Sequence, residues 1–150
     1  MRNSIIILSI VLFFASSCKA QNSNSDEEAI KNVIQTAYVE GLQNEGDAKK
    51  IDSGFHKDFR LLGVDETGHM WILPIENWKQ SALKKREKGK LPRSKENLYR
   101  VEFETIDITG NAAIAKLQCY SGEKLTFVDY ISLYKLHNGW IIVNKIYYKF

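Results

Sequence analysis

The chain has 150 residues, and its 21 basic against 18 acidic side chains give a net charge of +3. Removing the first 20 residues takes away Arg2 and Lys19, which leaves 19 cations against 18 anions and a net charge of +1. A charge so close to neutral, without a nucleic-acid recognition motif, argues against nucleic acid as a partner. Two cysteines, Cys18 and Cys119, are too few for a disulfide framework.

The N-terminus carries an export signal. Arg2 precedes an apolar run from Ile5 to Ala15 that is too short to span a bilayer as a permanent helix, so residues 1–20 are predicted to be a secretory signal segment. Two processing routes are open: lipidation of Cys18, which follows small residues as in bacterial lipoproteins, or cleavage after Ala20. We favour lipidation. It predicts a periplasmic or outer-membrane lipid-anchored protein whose membrane contact is the anchor alone, with secretion as the second choice.

One domain, residues 26–150, is predicted to follow a polar tether at residues 21–25. Asp26-Glu27-Glu28 predicts a helix start, because acidic residues are favoured near the positive end of a helix. Gly46 ends this helix, and Asp47 caps a shorter second helix. The apolar stripe of the first helix recurs at three- and four-residue spacing and consists of Ile30, Val33, Ile34, Ala37, Tyr38, Gly41 and Leu42.

A strand pair and a third helix come next. Phe59–Val64 and Met70–Leu73 predict two short strands around a turn, and Pro74 suits the first turn of a helix that carries Trp78. The basic segment that follows, Lys84 to Lys95, holds seven cations. It predicts either a solvated surface or a mobile lip that attracts anionic ligands or lipid head groups.

Four strands complete the chain: Leu98–Ile108, Ala112–Tyr120, Leu125–Leu136 and Trp140–Phe150. Runs of helices followed by runs of strands predict an α+β fold, with the helices packed in the concave face of a curved, mostly antiparallel sheet.

The last hairpin sets a register that bears on function. Asn138-Gly139 between alternating runs predicts a two-residue turn. Counting outward from it opposes Asp129 to Tyr148 and places both on the concave face. A three-residue loop with a bulge would instead place Tyr147 or Lys149 there.

Several segments resemble a known family, the putative lumazine-binding proteins exported by bacteria, within the nuclear transport factor two-like (cystatin-like cone) superfamily. The resemblance covers nearly all of residues 26–150. It is carried by Tyr38–Leu42, Glu45–Asp47, Phe55–Phe59, Asp129-Tyr130 and Gly139–Lys145.

The resemblance implies a cone in which helices and sheet enclose a pocket. Relatives use that pocket for steroid isomerisation, polyketide cyclisation, dehydration or binding. Tyr38 falls near the position of an oxyanion-donating tyrosine in the isomerases, and Asp129 near that of a second acid. The region that supplies their carboxylate base reads Leu61-Leu62-Gly63 here, which argues against that mechanism.

The candidate ligand-binding residues are polar or aromatic groups expected around an apolar cone: Tyr38, Trp71, Trp78, Asp129, Asn144 and Tyr148. Each has a structural alternative, since a buried acid, amide or phenol usually has a partner and a tryptophan is usually core. The three histidines, His56, His69 and His137, lie in unrelated turns, so neither a metal site nor a cofactor is expected.

These observations predict an exported domain that binds a small planar or heteroaromatic molecule. They favour a binding function over a catalytic one. One alternative is a pocket enzyme of isomerase, cyclase or dehydratase type that uses Asp129 or His56 for proton transfer. Another is a homodimeric interaction domain. It would pair through the outer face of the sheet, where we expect Tyr130, Tyr134, Val143 and Tyr147.

Overall fold

A computed structural model of the chain describes the backbone of residues 17–150 and the side chains of residues 24–150. Most of the predicted signal segment, residues 1–20, lies outside this range, as does the side chain of Cys18. Export and lipidation therefore stay predictions.

All helical elements of the described residues precede residue 98, and four consecutive strands follow them. The helical elements are α1 (Ser17–Val33), which continues directly as a π-helical segment (Ile34–Glu45), then α2 (Ala48–Gly54), α3 (Ile75–Glu87) and a 3-10 turn (Lys95–Asn97). The strands are β1 (Phe55–Val64), β2 (Met70–Pro74), β3 (Tyr99–Thr109), β4 (Ala112–Ser121), β5 (Lys124–Leu136) and β6 (Gly139–Lys149).

The six strands form one sheet in the order β2-β1-β6-β5-β4-β3. All neighbours are antiparallel except β1 and β6, which run parallel, so the sheet is mixed. Pairing shifts by one residue at irregularities in β3, β5 and β6, and such bulges bend a sheet. The predicted α+β fold, with helices against a curved sheet, is confirmed.

The first helix presents the predicted stripe to the core, with Ile30, Ile34, Ala37, Tyr38 and Leu42 buried. Its start differs from the prediction, because the helix already includes residues 21–25.

Asp26 is therefore not an N-terminal residue of this helix. Its carboxylate accepts hydrogen bonds from Lys135 Nζ at 2.6 Å and from Trp140 Nε1 at 3.0 Å. Asp26 thus ties α1 to the last hairpin.

The junction between the π-helical segment and α2 follows the prediction. Gly46 is left-handed with φ of +63°, and the Asp47 side chain accepts from the Lys50 backbone N–H at 3.1 Å. A Cβ at Gly41 would lie 2.8 Å from the Cβ of Lys50, so glycine at this position allows α2 to pack closely against the preceding helix.

The core lies between the helical stripe and the inner faces of the central strands. Aliphatic side chains of β4, β5 and β6 meet the helix there, and aromatic rings close the sides. Its fully buried members include Ile30, Ile34, Ile51, Phe59, Leu117, Ile131, Leu133 and Ile142.

The turn of the last hairpin is displaced from its predicted position. Leu136 pairs with Gly139, so the two turn residues are His137 and Asn138 rather than Asn138 and Gly139. This displacement moves the pairing by two residues. Because side chains alternate with a period of two, it leaves their faces unchanged, and Trp140 is buried as expected.

A bulge at Val143 then reverses the faces along the rest of β6. Ser132 pairs with Asn144 and Leu133 with Ile142, so Val143 is the extra residue. Beyond it Asp129 opposes Tyr147. The predicted pair of Asp129 with Tyr148 is therefore wrong.

Candidate functional site

Five buried polar side chains meet inside the cone. We call them the interior polar cluster: Tyr38 from the π-helical segment, Tyr99 from β3, Cys119 from β4, Asp129 from β5 and Lys145 from β6. Each strand residue sits at an inward position of its alternating pattern, and Lys145 does so because of the bulge at Val143. One helix and four neighbouring strands therefore build a single site.

Asp129 is the centre of the cluster. Its Oδ2 accepts from Lys145 Nζ at 2.6 Å, from the Tyr38 hydroxyl at 2.7 Å and from Cys119 Sγ at 3.2 Å. The Tyr38 oxygen also accepts from Lys145 Nζ at 2.8 Å and lies 2.8 Å from the Tyr99 hydroxyl. Three donors thus converge on one carboxylate oxygen.

The other oxygen of Asp129 is unpaired. Asp129 has no exposed surface, and its Oδ1 is the one buried side-chain nitrogen or oxygen in the part of the chain that the structure describes that lacks a hydrogen-bond partner. An unpaired buried acceptor is costly, and most buried polar atoms have a partner. Oδ1 is therefore a free acceptor inside the cone.

Aromatic rings surround the ammonium group of Lys145. Its Nζ lies 4.9 Å from the ring centre of Tyr38, 5.3 Å from that of Tyr147, 5.6 Å from that of Trp78 and 5.9 Å from that of Phe127. Ring faces attract a cation at these distances. Lys145 is thus held by one carboxylate and four rings.

Burial governs the protonation of the cluster. It lowers the pKa of Lys145, and the neighbouring Asp129 carboxylate opposes that change. Burial, reinforced by Asp129, raises the pKa of the Cys119 thiol to about 12 and raises the pKa of Tyr38 well above its usual value. At neutral pH Cys119 is a thiol and Tyr38 a neutral phenol, so neither is a ready nucleophile.

The structure brings three of the predicted site residues together. Tyr38 and Asp129 share a hydrogen bond, and the Trp78 ring lies 5.9 Å from the Tyr38 ring. Trp71 lies apart from them. It covers Gly63, where any side chain would overlap its indole, and it contacts the ring of Tyr147.

The other two predicted residues lie on the outer face of the sheet. Tyr148 is 62% exposed, and Asn144 donates its side-chain N–H to the Arg60 carbonyl at 2.9 Å, which extends the β1–β6 pairing. Both were predicted on the concave face, and the bulge at Val143 is the reason that they are not there. His56 does not join the cluster by a hydrogen bond either: its ring accepts from the Asp58 backbone N–H at 3.2 Å.

Sequence reasoning missed Tyr99, Cys119 and Lys145 as site residues. Alternation along β3 and β4 places Tyr99 and Cys119 on the inward face, so their position could have been predicted from the sequence. The inward position of Lys145 could not have been predicted in this way, because alternation counted from the turn puts it on the outer face.

A groove of about 1240 Å³ lies beside the cluster. Its walls come from the π-helical segment, from residues 92–100 and from the turn between β4 and β5. Tyr99 belongs both to the groove and to the interior polar cluster.

The basic segment borders the same groove. Arg93 donates to the Gln43 carbonyl at 2.8 Å, and its backbone N–H donates to the Asn44 carbonyl at 2.9 Å, so this part of the segment is fastened to the helix. The lysines at the end of α3 and just after it are exposed, by contrast: Lys84, Lys85, Lys88 and Lys90.

Among residues 17–150, no group of three or more histidine, cysteine or acidic side chains is arranged to hold a metal ion. No helix within the same residues combines the length and the apolarity that a membrane span requires.

The buried ion pair yields a stability prediction. Asp129→Asn should lower the free energy of unfolding by roughly 3–5 kcal/mol, because it leaves the Lys145 charge buried without its partner. Adding Lys145→Met should recover part of that loss. Urea denaturation of the two single variants and the double variant measures the coupling.

The exposed pair of Glu104 and Lys116, with an N···O distance of 2.6 Å, is the matched control, and its coupling should stay below about 1 kcal/mol. A buried pair that couples no more strongly than this exposed pair would contradict the prediction.

Comparison with known proteins identifies the fold. An NTF2-like (nuclear transport factor two-like) protein of unknown function from Shewanella baltica is 24% identical, with 85% of this chain and 95% of that chain covered and a TM-score of 0.66. Another from Silicibacter pomeroyi is 15% identical, covers 85% and 98%, and has a TM-score of 0.67. A Nostoc punctiforme domain with a cystatin-like fold is 10% identical, covers 84% and 78%, and has a TM-score of 0.57. At these identities the likeness shows the fold alone.

Sequence comparison identifies the family. A search of curated proteins found no significant match. The model of the family described as putative lumazine-binding matches residues 25–148, which confirms the resemblance seen in the sequence. The chain therefore belongs to the putative lumazine-binding family and has the NTF2-like, cystatin-like fold.

Proposed function

We propose that this protein is an exported binding module for a small molecule, and that the ligand lies inside the cone beside the interior polar cluster. The observation that carries the proposal is the free acceptor Oδ1 of Asp129, on a side chain without exposed surface. An unpaired buried polar atom costs about 1–3 kcal/mol, and a ligand that donates a hydrogen bond to Oδ1 recovers that free energy.

The surroundings of Asp129 suit a flat ligand. Tyr38, Trp78, Phe127 and Tyr147 present aromatic faces around Lys145, and ligand sites commonly combine such faces with a few polar groups that orient the ligand. The family description supports a heteroaromatic molecule such as lumazine. Binding rather than catalysis is favoured, because the Lys145 ammonium and the Tyr38 hydroxyl are both bonded to Asp129, and His56 is not hydrogen-bonded to the cluster.

The first test is direct binding. The purified full chain should bind lumazine saturably in a calorimetric titration, and native mass spectrometry should detect a small molecule retained from the expressing cell. The double variant Asp129→Asn, Lys145→Met should weaken lumazine binding by at least about tenfold, because it changes the polar groups that orient the ligand.

The matched control removes the exposed ion pair with Glu104→Gln and Lys116→Met and should leave the affinity unchanged. The proposal fails if the unmodified protein binds no lumazine and retains no small molecule.

We also propose that the protein is exported and lipid-anchored through Cys18. The apolar run from Ile5 to Ala15 and the small residues before Cys18 support this assignment. Mass spectrometry of the protein expressed in a bacterium should find a lipidated Cys18 as the first residue, and Cys18→Ser should remove the lipid. An intact Met1 in a cytoplasmic fraction would contradict export, whereas a chain that starts at Gln21 would contradict only the anchor.

The outer face of the sheet supports a homodimer. The corrected register places Ile146 and Tyr148 on this face and moves Lys145 and Tyr147 inward, so the face is less charged than the sequence predicted. Exposed apolar side chains continue it across β1 and β2, where a depression of about 490 Å³ lies between β6 and the β1–β2 pair. They include Val64, Met70 and Ile72.

Sedimentation tests the dimer. The full chain should sediment as a dimer at about 100 µM, and Tyr148→Lys should shift it to monomer because a charge at a dry contact is costly. Gln80→Lys is the control and should leave the dimer intact, because it adds the same charge on α3, outside the sheet, where Gln80 already bonds to Glu76. A monomer at this concentration without any substitution would rule the dimer out.

A further inference from the structure

Tyr99 is the member of the interior polar cluster that also lines the open groove. The groove of about 1240 Å³ is larger than a typical ligand site, and its lining includes Val39, Asn44, Arg93, Leu98, Tyr99 and Gly122. Tyr99 is only 4% exposed, yet it lines the groove, and its hydroxyl lies 2.8 Å from that of Tyr38. Behind Tyr38 come Asp129 and Lys145.

Hydrogen counting gives the direction of this chain of contacts. Lys145 can only donate, so the Tyr38 oxygen accepts from it, and the single hydroxyl hydrogen of Tyr38 goes to Asp129. Tyr99 must therefore donate to Tyr38. If the Tyr99 ring turned away, Tyr38 would keep its bonds to Lys145 and Asp129. The Tyr99 hydroxyl would give up its interactions with two neutral groups, Tyr38 and Cys119.

The backbone of Tyr99 is held independently of its ring. The side-chain amide of Asn44 accepts from the Tyr99 backbone N–H at 2.8 Å and donates to the Tyr99 carbonyl at 2.8 Å. This pair of bonds imitates the pairing of a neighbouring strand and fastens the start of β3 to the helix. The ring can thus change rotamer while the strand stays in place.

We propose that Tyr99 is a movable gate between the groove and the other four residues of the interior polar cluster, and that it admits a planar molecule whose edge presents an N–H donor to Oδ1 of Asp129. The inference rests on the proposed binding function and adds the route and the ligand's anchoring group. Oδ1 is a carboxylate oxygen without a partner, so a ligand edge that carries only carbonyl groups would set lone pairs against lone pairs.

The rate at which the Cys119 thiol is modified measures access through the gate, and this measurement needs no ligand. Its thiol lies 3.2 Å from Oδ2 of Asp129, within the cluster, and is fully buried. In the full chain with Cys18→Ser, Cys119 is the sole thiol, since the sequence has two cysteines. Methyl methanethiosulfonate should therefore modify Cys119 slowly while Tyr99 closes the path.

Tyr99→Ala should accelerate this modification by at least about tenfold under native conditions, because it opens the path from the groove. Phe103→Ala is the matched control: it also removes an inward aromatic ring of β3, but Phe103 neither lines the groove nor belongs to the interior polar cluster. The modification rate of this control should stay within about threefold of the rate measured for the Cys18→Ser protein without a further substitution, once both rates are corrected for the free energy of unfolding. Equal acceleration by the two variants, or none by Tyr99→Ala, would overturn the gate.

The anchoring group is tested with two analogues of lumazine. Lumazine carries two N–H groups on its pyrimidine ring. Its analogue methylated at both pyrimidine nitrogens lacks them, whereas the isomer methylated at the two pyrazine carbons keeps them and has the same added bulk. The unsubstituted protein should bind the N-methylated analogue at least about tenfold more weakly than its C-methylated isomer, because Oδ1 then has no donor to accept from. Equal affinity for the two isomers would overturn the N–H assignment and leave the binding function standing, whereas no affinity for either isomer or for lumazine would overturn both.

Discussion

The structure depends on one buried ion pair. Lys145 and Asp129 lie 2.6 Å apart inside an apolar cone, where charges are stable only if each is paired and hydrogen-bonded. Tyr38 contributes a phenol that bonds to both, so the helix and strands β5 and β6 are joined by polar contacts as well as by apolar packing. The ion pair and the hydrogen bonds of Tyr38 together compensate for the cost of burying two charges.

The two oxygens of the Asp129 carboxylate are not equally hydrogen-bonded. Oδ2 of Asp129 accepts from three donors and Oδ1 from none, although the cluster includes a lysine and a second tyrosine within its hydrogen-bonded network. An ion pair with a purely structural role would be more stable if its hydrogen-bond donors were shared between both carboxylate oxygens. The asymmetry, together with a groove that reaches Tyr99, is why we propose a ligand-binding role for this interior.

Most of the fold and part of the site were predictable from the sequence. Tyr38 recurs with Ile34, Ala37 and Leu42 at helical spacing, so its burial followed from the pattern. Asp129 lies between apolar inward residues of β5, and alternation placed it on the concave face correctly. Such patterns are local, and they survive small errors in where an element begins or ends.

What the sequence determined by itself is the set of elements, the apolar stripe of the first helix, the inward side of β5 and the family. What only the tertiary structure decided is which residues of β6 face Asp129. A bulge at Val143 leaves no mark in a run of alternating apolar residues, yet one extra residue exchanges every face beyond it. It carried Lys145 into the cone and Asn144 and Tyr148 out of it, because the curvature of the sheet and the carboxylate of Asp129 act across strands rather than along the chain.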